Sequence, residues 1–413
     1  PSILVGRPMW LSASTPRGVI YDRNRVILAR NAPSYSVGVV PADLPDDPAR
    51  RQAIYARLSD WLKIPITNTA TLPTPVSSSA EAGTAPAPET IMEKVRAGAS
   101  DPYGVALLKS KIDPALANII EEQRVEMPGV QVLRTATRVY PSGEFLSHIL
   151  GYTGGILGSQ RQEYADRGYA ITDRVGLTGI ELIFESNLRG GKERKLVEVD
   201  ASGRELRVIA EQSARAGNNL VLTIDNKLQA AATDALKKGL ARARANAGVA
   251  IVMNPHSGEV LALVSLPSYD NNLFTQGISV EAYNALIEDE ALPLFNRAVS
   301  GEYPLGSVFK IVPASGALQE GVVDRNTSVL DAGVLWVPNR FFPNDARLAQ
   351  PFYGWYRAGL GLMNVVSALA WSSDIYFYEI SGGFGEFKGL GLNQLVNYSQ
   401  LFGFGQPTRI ALP

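Results

Sequence analysis

The chain of 413 residues contains no cysteine and only two histidines, His148 and His256. The lack of cysteine excludes disulfides, thiolate catalysis and cysteine-ligated zinc. The two histidines lie far apart in sequence, so no histidine-rich metal site is expected. The formal net charge of −1 gives no electrostatic basis for binding nucleic acid, which requires a basic surface.

The sequence also lacks any run of 18 apolar residues, so no segment is expected to span a membrane as a helix. It begins at Pro1 rather than methionine, and we therefore expect a processed or partial form from which a signal peptide or anchor has been lost. The residues that are present, 46% hydrophobic and 19% charged, predict a folded protein of two or three domains.

Residues 72–89, LPTPVSSSAEAGTAPAPE, are rich in Pro, Ala, Ser and Thr and contain no aromatic side chain. This composition predicts a flexible loop inserted in an N-terminal domain. Before the loop, residues 17–31 predict two short strands around a polar turn at residues 22–24. After it, residues 113–133 have helical spacing, and Asp113 is the expected N-cap.

The pattern changes again near Gly217, where we place the main domain boundary. A short strand over residues 220–224 leads to Asp225, which can cap an amphipathic helix. Two strands, GVAIVMN and GEVLALVSL, then flank the loop NPHSG, in which Gly258 is available for a positive φ. A helix, an antiparallel hairpin and a further helical stretch predict an α+β fold.

The sequence EYPLGSVFK places Ser307 three positions before Lys310. On a helix these side chains lie on neighbouring faces, where the serine can be a nucleophile and the lysine its general base. A lysine acts as a base only when its pKa falls well below about 10.4, and burial lowers it. Apolar neighbours predict such burial; they are Val308, Phe309, Ile311 and Val312.

An isolated Ser-x-x-Lys pattern is common by chance, and Pro313 argues against a regular helix. A second element is present in ALAWSSDIYFYEI. Here the hydroxyl of Ser372 can relay a proton between Lys310 and a leaving amine, and Asp374 can hydrogen-bond Lys310 or the substrate amide. Taken alone, Ser372 or Ser373 is better explained as a helix cap.

Together with their flanks, these residues resemble the penicillin-binding proteins, the serine acyltransferases that cross-link peptidoglycan. YPLGSVFK resembles the first motif of that family, and LVSLPSYDNNLF and FNRAVSG resemble the segments before it. RGVIYDRN, RVYPSGEFLSHILGYTG and GLTGIELIFESNLRGG resemble three blocks of the class B pedestal domain. Asp374 followed by YFYEI resembles the elongation-type branch, penicillin-binding protein 2.

The resemblance implies a multidomain α+β fold. An elongated pedestal of the dimerisation type is expected over residues 1–216, with an inserted head region at about residues 45–135 that contains the flexible loop. The N-terminal part of a transpeptidase domain, with mixed helices around an antiparallel sheet, is expected over residues 217–413.

The implied activity is that of a D,D-transpeptidase. A stem peptide ending in D-Ala-D-Ala would acylate Ser307 with loss of D-Ala, and an amine of a neighbouring stem would resolve the acyl-enzyme. Lys310 would be the general base, Ser372 the proton relay and Asp374 the hydrogen-bonding partner of lysine or substrate. β-Lactams would acylate the same serine.

The resemblance implies no cofactor. Some Gram-negative relatives bind zinc through Cys and His near the second motif, and this chain has neither there, so no metal is expected. The implied location is the periplasmic face of the cytoplasmic membrane, anchored by an N-terminal helix that is not in this sequence. The implied partners are a SEDS-type glycosyltransferase and the scaffold proteins of the rod complex.

Two other functions are considered. A non-catalytic pedestal that activates the glycosyltransferase is the alternative from a different class. A soluble penicillin-hydrolysing enzyme is disfavoured because a pedestal of about 200 residues precedes the first motif and no deacylating glutamate is recognisable.

The family's third motif, Lys-Ser/Thr-Gly, is not found after Asp374. The one lysine among the 39 residues that follow, Lys388, is succeeded directly by glycine. We therefore expect an incomplete C-terminal part, without the strand that binds the substrate carboxylate and completes the oxyanion hole. The polypeptide as given is expected to be inactive.

Charged residues in the pedestal blocks are interpreted as buried ion pairs that hold the pedestal strands together, not as a second active site; they are Arg17, Asp22, Arg138, Glu181 and Arg189. His148 has apolar neighbours and is expected to pack in the core. His256 is expected in a solvated hairpin turn.

Overall fold

A computed structural model describes residues 7–13, 16–67, 90–97, 103–170, 173–191, 193–199, 205–212, 215–275 and 277–412. By packing, the chain divides into two compact units, Pro1–Gly301 with Ala411–Pro413, and Glu302–Ile410. The flexible loop predicted at residues 72–89 lies outside the described residues. The domain boundary expected near Gly217 is placed from the sequence pattern and does not coincide with this division by packing. It stays a prediction.

The first unit combines helices with mainly antiparallel strands. Its strands are β1 (Arg7–Ala13), β2 (Ile20–Tyr21), β3 (Ile27–Val39), β4 (Ala106–Ile112), β5 (Val130–Val139), β6 (Thr153–Gly155), β7 (Arg174–Gly176), β8 (Glu193–Val199), β9 (Glu205–Gln212), β10 (Leu220–Val221), β11 (Gly248–Met253) and β12 (Val260–Leu266). Its helices are α1 (Pro48–Leu62), α2 (Ile91–Ala97), α3 (Pro114–Glu122), α4 (Ser147–Leu150), α5 (Arg161–Asp166), α6 (Gly179–Ile183), α7 (Glu185–Leu188), α8 (Asn226–Ala243), α9 (Val280–Ile287) and α10 (Arg297–Ser300).

The second unit is smaller. Its strands are β13 (Val329–Asp331), β14 (Val334–Val337), β15 (Gln350–Tyr353) and β16 (Gly361–Met363). Its helices are α11 (Ile311–Gln319), α12 (Val365–Ala370), α13 (Asp374–Gly382) and α14 (Leu392–Leu401). β13 pairs with β16 and β14 with β15, both antiparallel. The core forms where α11 and α13 pack with β13, around buried residues such as Ala317, Tyr376 and Ile380. The α+β class is confirmed.

The long strand β3 organises the first unit. It pairs with β2, β4 and β5, and β10 continues the sheet beside β2. The two strands predicted within residues 17–31 are therefore present, although the second extends to Val39. Buried residues of β3, β4, α1 and α3, such as Val37, Leu58, Leu108 and Ile120, form a separate hydrophobic cluster. Asp113 caps α3 as predicted, because its Oδ1 accepts the N–H of Ala115 at 2.7 Å.

The elements predicted after Gly217 also form. Asp225 Oδ1 accepts the N–H groups of Lys227 and Leu228, which starts α8. β11 and β12 make the predicted antiparallel hairpin, and Gly258 has φ of 76° in its loop. The strand expected over residues 220–224 is shorter, since β10 covers only its first two residues.

Asp22 corrects one sequence interpretation. It is 1% exposed, as expected for a buried charge, but among the described residues it pairs with no cation. Its Oδ1 accepts the N–H groups of Asn24 and Val26, both at 2.8 Å, and its Oδ2 accepts the N–H of Asn226 at 3.1 Å. The ion-pair interpretation is wrong here because an aspartate at the start of a tight turn is satisfied by backbone donors.

The predicted buried ion pairs are present around Glu181, which is fully buried. Its carboxylate contacts Arg17 Nε at 2.5 Å and Arg138 Nε at 2.7 Å. Glu185, which the sequence interpretation missed, contacts Arg17 Nη1 at 2.6 Å. Burial acts to lower the pKa of Arg17, but the charges of Glu181 and Glu185 outweigh it, and the pKa is raised. This ion-pair cluster therefore keeps its charges in the core.

Arg189 is a partial exception. Its side chain keeps 25% exposure and lies 3.6 Å from Asp173 Oδ2. Its guanidinium stacks on the ring of Tyr169, with 3.3 Å between the guanidinium carbon and the ring centroid. The expected burial is wrong because a planar guanidinium can cover an aromatic face while its edge stays in water.

Both histidines lie where predicted. His148 is buried, its ring meets Tyr269 edge-on at 5.4 Å, and its Nε2 lies 3.5 Å from Pro267 O. Burial lowers its pKa from the ordinary value. His256 is exposed in the hairpin turn.

Removing one carboxylate of the ion-pair cluster tests its structural role. Glu181→Gln leaves Arg17 and Arg138 buried without their shared counter-charge, so the free energy of unfolding should fall by about 3–5 kcal/mol. The matched control is Glu126→Gln, which breaks an exposed pair with Arg57 and should change stability by no more than about 1 kcal/mol. Urea unfolding measures both, and equal effects would contradict the assignment.

The buried histidine predicts a pH dependence of stability. The folded state depresses the pKa of His148, so the unfolded chain binds the proton more readily. Its contribution is present above the unfolded pKa of 6.5 and is lost as the pH falls below that value. Wild type should therefore lose more stability between about pH 8 and pH 5.5 than His148→Gln does. His256→Gln, the control, should follow wild type, and a wild-type slope in His148→Gln would disprove the prediction.

Candidate active site

Ser307 lies on a short 3-10 helix, Gly306–Lys310, that continues directly into α11. Gly306 has φ of 61°, a left-handed conformation that glycine adopts without steric cost. Pro313 predicts that this helix is not regular. The structure shows such an irregularity, because the geometry changes from 3-10 to α-helical between Lys310 and Ile311. Pro313 itself falls in the first turn of α11, where a missing N–H is tolerated.

The 3-10 geometry changes the relative orientation expected for the side chains of Ser307 and Lys310. In a 3-10 helix residues i and i+3 eclipse one another, so Ser307 and Lys310 share one face and not two neighbouring faces. Val308 and Ile311, the first residue of α11, are 71% and 56% exposed. The predicted burial of Lys310 against these two residues is therefore wrong.

Lys310 is nevertheless largely enclosed. Its side chain is 12% exposed, and its Nζ lies 5.7 Å from the centroid of the Phe377 ring. Nζ donates to Ser372 O at 2.8 Å, to Ser372 Oγ at 3.1 Å and to Asp374 Oδ1 at 2.5 Å. An ammonium has three donors, and here each one meets an acceptor of the second motif.

Ser307 is free to react. It is exposed, and within the part of the chain that the structure describes its Oγ makes no hydrogen bond. Among the described residues Lys310 hydrogen-bonds the second motif and not Ser307, so the lysine and the serine hydroxyl face the same cavity without a bond between them.

The two serines of the second motif have different tasks. Ser372 has φ of 55°, and its backbone oxygen and hydroxyl both accept from Lys310. Ser373 is fully buried and caps α13, because its Oγ accepts the N–H of Tyr376 at 3.1 Å. The same hydroxyl donates to Asp331 Oδ2 at 2.6 Å. The helix-cap alternative therefore describes Ser373, and it leaves Ser372 for the lysine.

Asp374 holds the lysine from the first turn of α13. While Oδ1 binds Lys310, Oδ2 accepts the N–H of Trp355 at 3.0 Å. The indole Nε1–H of Trp355 donates to Trp371 O at 2.9 Å, and this hydrogen bond ties Trp355 to the backbone just before Ser372. Trp355 and Asp331 were not predicted, because their partners lie far along the sequence and no motif marks them.

A cavity of about 500 Å³ opens beside these groups. Its polar wall includes Ser307, Lys310, Asp374 and Ser381. Its apolar wall is formed by Phe309, Pro313, Leu335, Val337, Phe352, Phe377 and Tyr378. A nucleophile, a lysine held by a hydroxyl and a carboxylate, and an apolar wall suit acyl transfer to a peptide-like substrate. In the described ranges no group of three His, Cys, Asp or Glu side chains is arranged to hold a metal ion.

Comparisons with known proteins identify the family of the chain. The model of the penicillin-binding protein dimerisation domain matches residues 12–222, and that of the penicillin-binding protein transpeptidase domain matches residues 248–413. The chain belongs to the penicillin-binding protein family.

Similar proteins include the peptidoglycan D,D-transpeptidase MrdA of Acinetobacter baumannii, which is 30% identical over 399 residues, or 96% of this chain and 52% of the relative. A solved complex of penicillin-binding protein 2 with MreC from Helicobacter pylori has a TM-score of 0.76 at 23% identity, over 99% of this chain and 67% of that chain. A peptidoglycan synthase complex that coordinates polymerization and crosslinking has a TM-score of 0.68 at 25% identity, over 99% and 63%. The chain spans about half the length of the curated relatives it matches.

No helix in the described ranges combines the length and the apolar character needed to cross a membrane.

Proposed function

We propose that the chain is part of a peptidoglycan D,D-transpeptidase of the penicillin-binding protein 2 type, which cross-links stem peptides during cell-wall elongation through an acyl-serine on Ser307. One observation carries this proposal. Lys310 Nζ binds both Ser372 Oγ and Asp374 Oδ1, which joins two motifs about 60 residues apart beside the cavity that Ser307 lines. The similarity to transpeptidases named MrdA supports it.

The residues divide the chemistry between them. Ser307 Oγ forms a bond to the carbonyl carbon of the penultimate D-Ala, and the peptide bond to the terminal D-Ala breaks. Lys310 is the general base that takes the proton of the serine hydroxyl. Ser372 Oγ, 3.1 Å from Nζ, passes a proton to the leaving amine. Asp374 keeps Nζ in place.

In the second half-reaction, which removes the acyl group from Ser307, the proton moves in the opposite direction. An amine of a neighbouring stem peptide attacks the acyl carbon, the bond to Ser307 Oγ breaks, and the proton lost by the amine returns to the serine through the same pair. A β-lactam opens its ring on the same hydroxyl, and the acyl group then stays on the serine because no amine resolves it.

The third motif of the family, Lys-Ser/Thr-Gly, is not found in this sequence. No lysine in the 413 residues is followed by Ser or Thr and then Gly. We propose that a Lys-Ser/Thr-Gly strand is needed to hold the substrate carboxylate, and that the 413 residues by themselves do not turn over stem peptides. No cofactor and no metal is included in the proposal.

We further propose a location at the periplasmic face of the cytoplasmic membrane, held by an N-terminal helix. The proposed partners are a SEDS-type glycosyltransferase and rod-complex scaffold proteins. Support comes from the similar structures, one solved with MreC and one in a synthase complex. The same structures favour the second candidate function, a non-catalytic pedestal that binds and activates the glycosyltransferase. The proposed domain limits are 1–216 and 217–413, and the boundary lies six residues before the end of the first family match, which covers residues 12–222; the second covers residues 248–413.

Labelling of the full-length protein with a fluorescent penicillin tests the enzyme proposal. Wild type should label, and Ser307→Ala should not. Ser315→Ala is the matched control, because that serine lies on α11 and its hydroxyl donates to Ile311 O of the same helix at 2.8 Å. Lys310→Ala should slow acylation by roughly 100-fold or more through loss of the base, and Lys388→Ala should not.

Equal labelling of wild type and Ser307→Ala would contradict the nucleophile assignment. Retained acylation in Lys310→Ala would contradict the role of the lysine. Absence of labelling in folded wild type would favour the binding pedestal.

A further inference from the structure

Asp331 is a buried acid that the mechanism above does not use. It is the last residue of β13 and is 2% exposed. Its Oδ1 accepts the N–H of Gly333 at 2.8 Å, and its Oδ2 accepts the hydroxyl of Ser373 at 2.6 Å. It does not line the cavity beside Ser307. The hydrogen bond to Ser373 is its direct connection to the residues that bind Lys310.

Ser373 is placed to transmit such an influence. It sits between the two residues that bind Lys310, namely Ser372, through its backbone oxygen and hydroxyl, and Asp374, through its carboxylate. Because Ser373 is fully buried and also caps α13, its position determines where both neighbours point.

The turn of residues 372–374 needs contacts from outside to keep its conformation. Ser372 has φ of 55°, in the left-handed region that residues other than glycine seldom occupy. Such a conformation persists only where the surrounding contacts impose it. A hydroxyl bound to a carboxylate is among the stronger hydrogen bonds, and the 2.6 Å between Ser373 Oγ and Asp331 Oδ2 is within its range.

We propose that Asp331 is a positioning residue of the active site: through Ser373 it holds the turn of residues 372–374 in the geometry that presents Ser372 Oγ and the Asp374 carboxylate to Lys310. It touches neither substrate nor reacting atoms. The effect on acylation rests on the proposed function of Ser307.

The test substitutes the carboxylate with its amide in the full-length protein. In Asp331→Asn the oxygen that Gly333 needs is kept, while the acceptor for the Ser373 hydroxyl is lost. The rate constant for acylation by a fluorescent penicillin should fall by roughly 10-fold or more, because small misplacements of catalytic groups have effects of this size. The final stoichiometry of labelling should stay that of wild type.

Rate constant and stoichiometry separate positioning from mere folding. A loss of folded protein lowers the labelled fraction and leaves the rate constant of the remainder unchanged, and that outcome would overturn the proposal. The control is Glu320→Gln, another carboxylate of the second unit that accepts a hydroxyl, from Tyr398 at 2.7 Å. It should keep the wild-type rate constant.

A second readout does not depend on acylation. Backbone amide hydrogen exchange at Tyr376 and Trp355, whose N–H groups bind Ser373 Oγ and Asp374 Oδ2, should accelerate in Asp331→Asn but not in Glu320→Gln. Unchanged exchange would overturn the proposal. If wild type does not label, the proposed function fails and exchange alone decides the positioning role. Ser373→Ala breaks the same hydrogen bond from the other side and replaces Asp331→Asn if that variant does not fold. Its exchange readout is then Trp355 alone, because the substitution itself removes the acceptor of the Tyr376 N–H.

Discussion

The contact between the Lys310 ammonium and the second motif is the interaction on which the candidate site depends. A lysine at 12% exposure loses most of its hydration, and it is stable there only if its donors are met by well-placed acceptors. Ser372 and Asp374 provide all three acceptors. These hydrogen bonds therefore couple the start of α11 to the start of α13, beside the cavity that Ser307 also lines.

The first unit uses buried charge differently. Around Glu181, two arginines and a second glutamate neutralise each other, and neither glutamate lines the cavity beside Ser307; the Glu181 carboxylate has no exposure. Asp374 keeps 25% exposure and lines an open cavity with the nucleophile. Both clusters are ion pairs of similar length, so access to a ligand, and not the strength of pairing, distinguishes the site from the structural cluster.

Local signals in the sequence predicted much of this structure. The caps at Asp113 and Asp225, the hairpin around Gly258 and the spacing of Ser307 and Lys310 all depend on neighbours within a few residues, and such contacts are visible in sequence. The contacts of Asp331 with Ser373 and of Trp355 with Asp374 join residues 42 and 19 positions apart and depend on how the strands fold back. The eclipsed 3-10 geometry at Ser307 was also hidden, because its preceding glycine is compatible with several turns. Glu185 had a usable signal, since it follows Glu181 by four residues.

Peptide mapping of the penicillin adduct tests the central claim most directly. Trypsin should release residues 298–310 of the penicillin-treated full-length protein as one peptide, because Arg297 and Lys310 flank it. Fragmentation should then place the added mass on Ser307. An adduct on Ser300 of the same peptide, or on Ser372 in another, would contradict the account, because the lysine would then serve a different nucleophile.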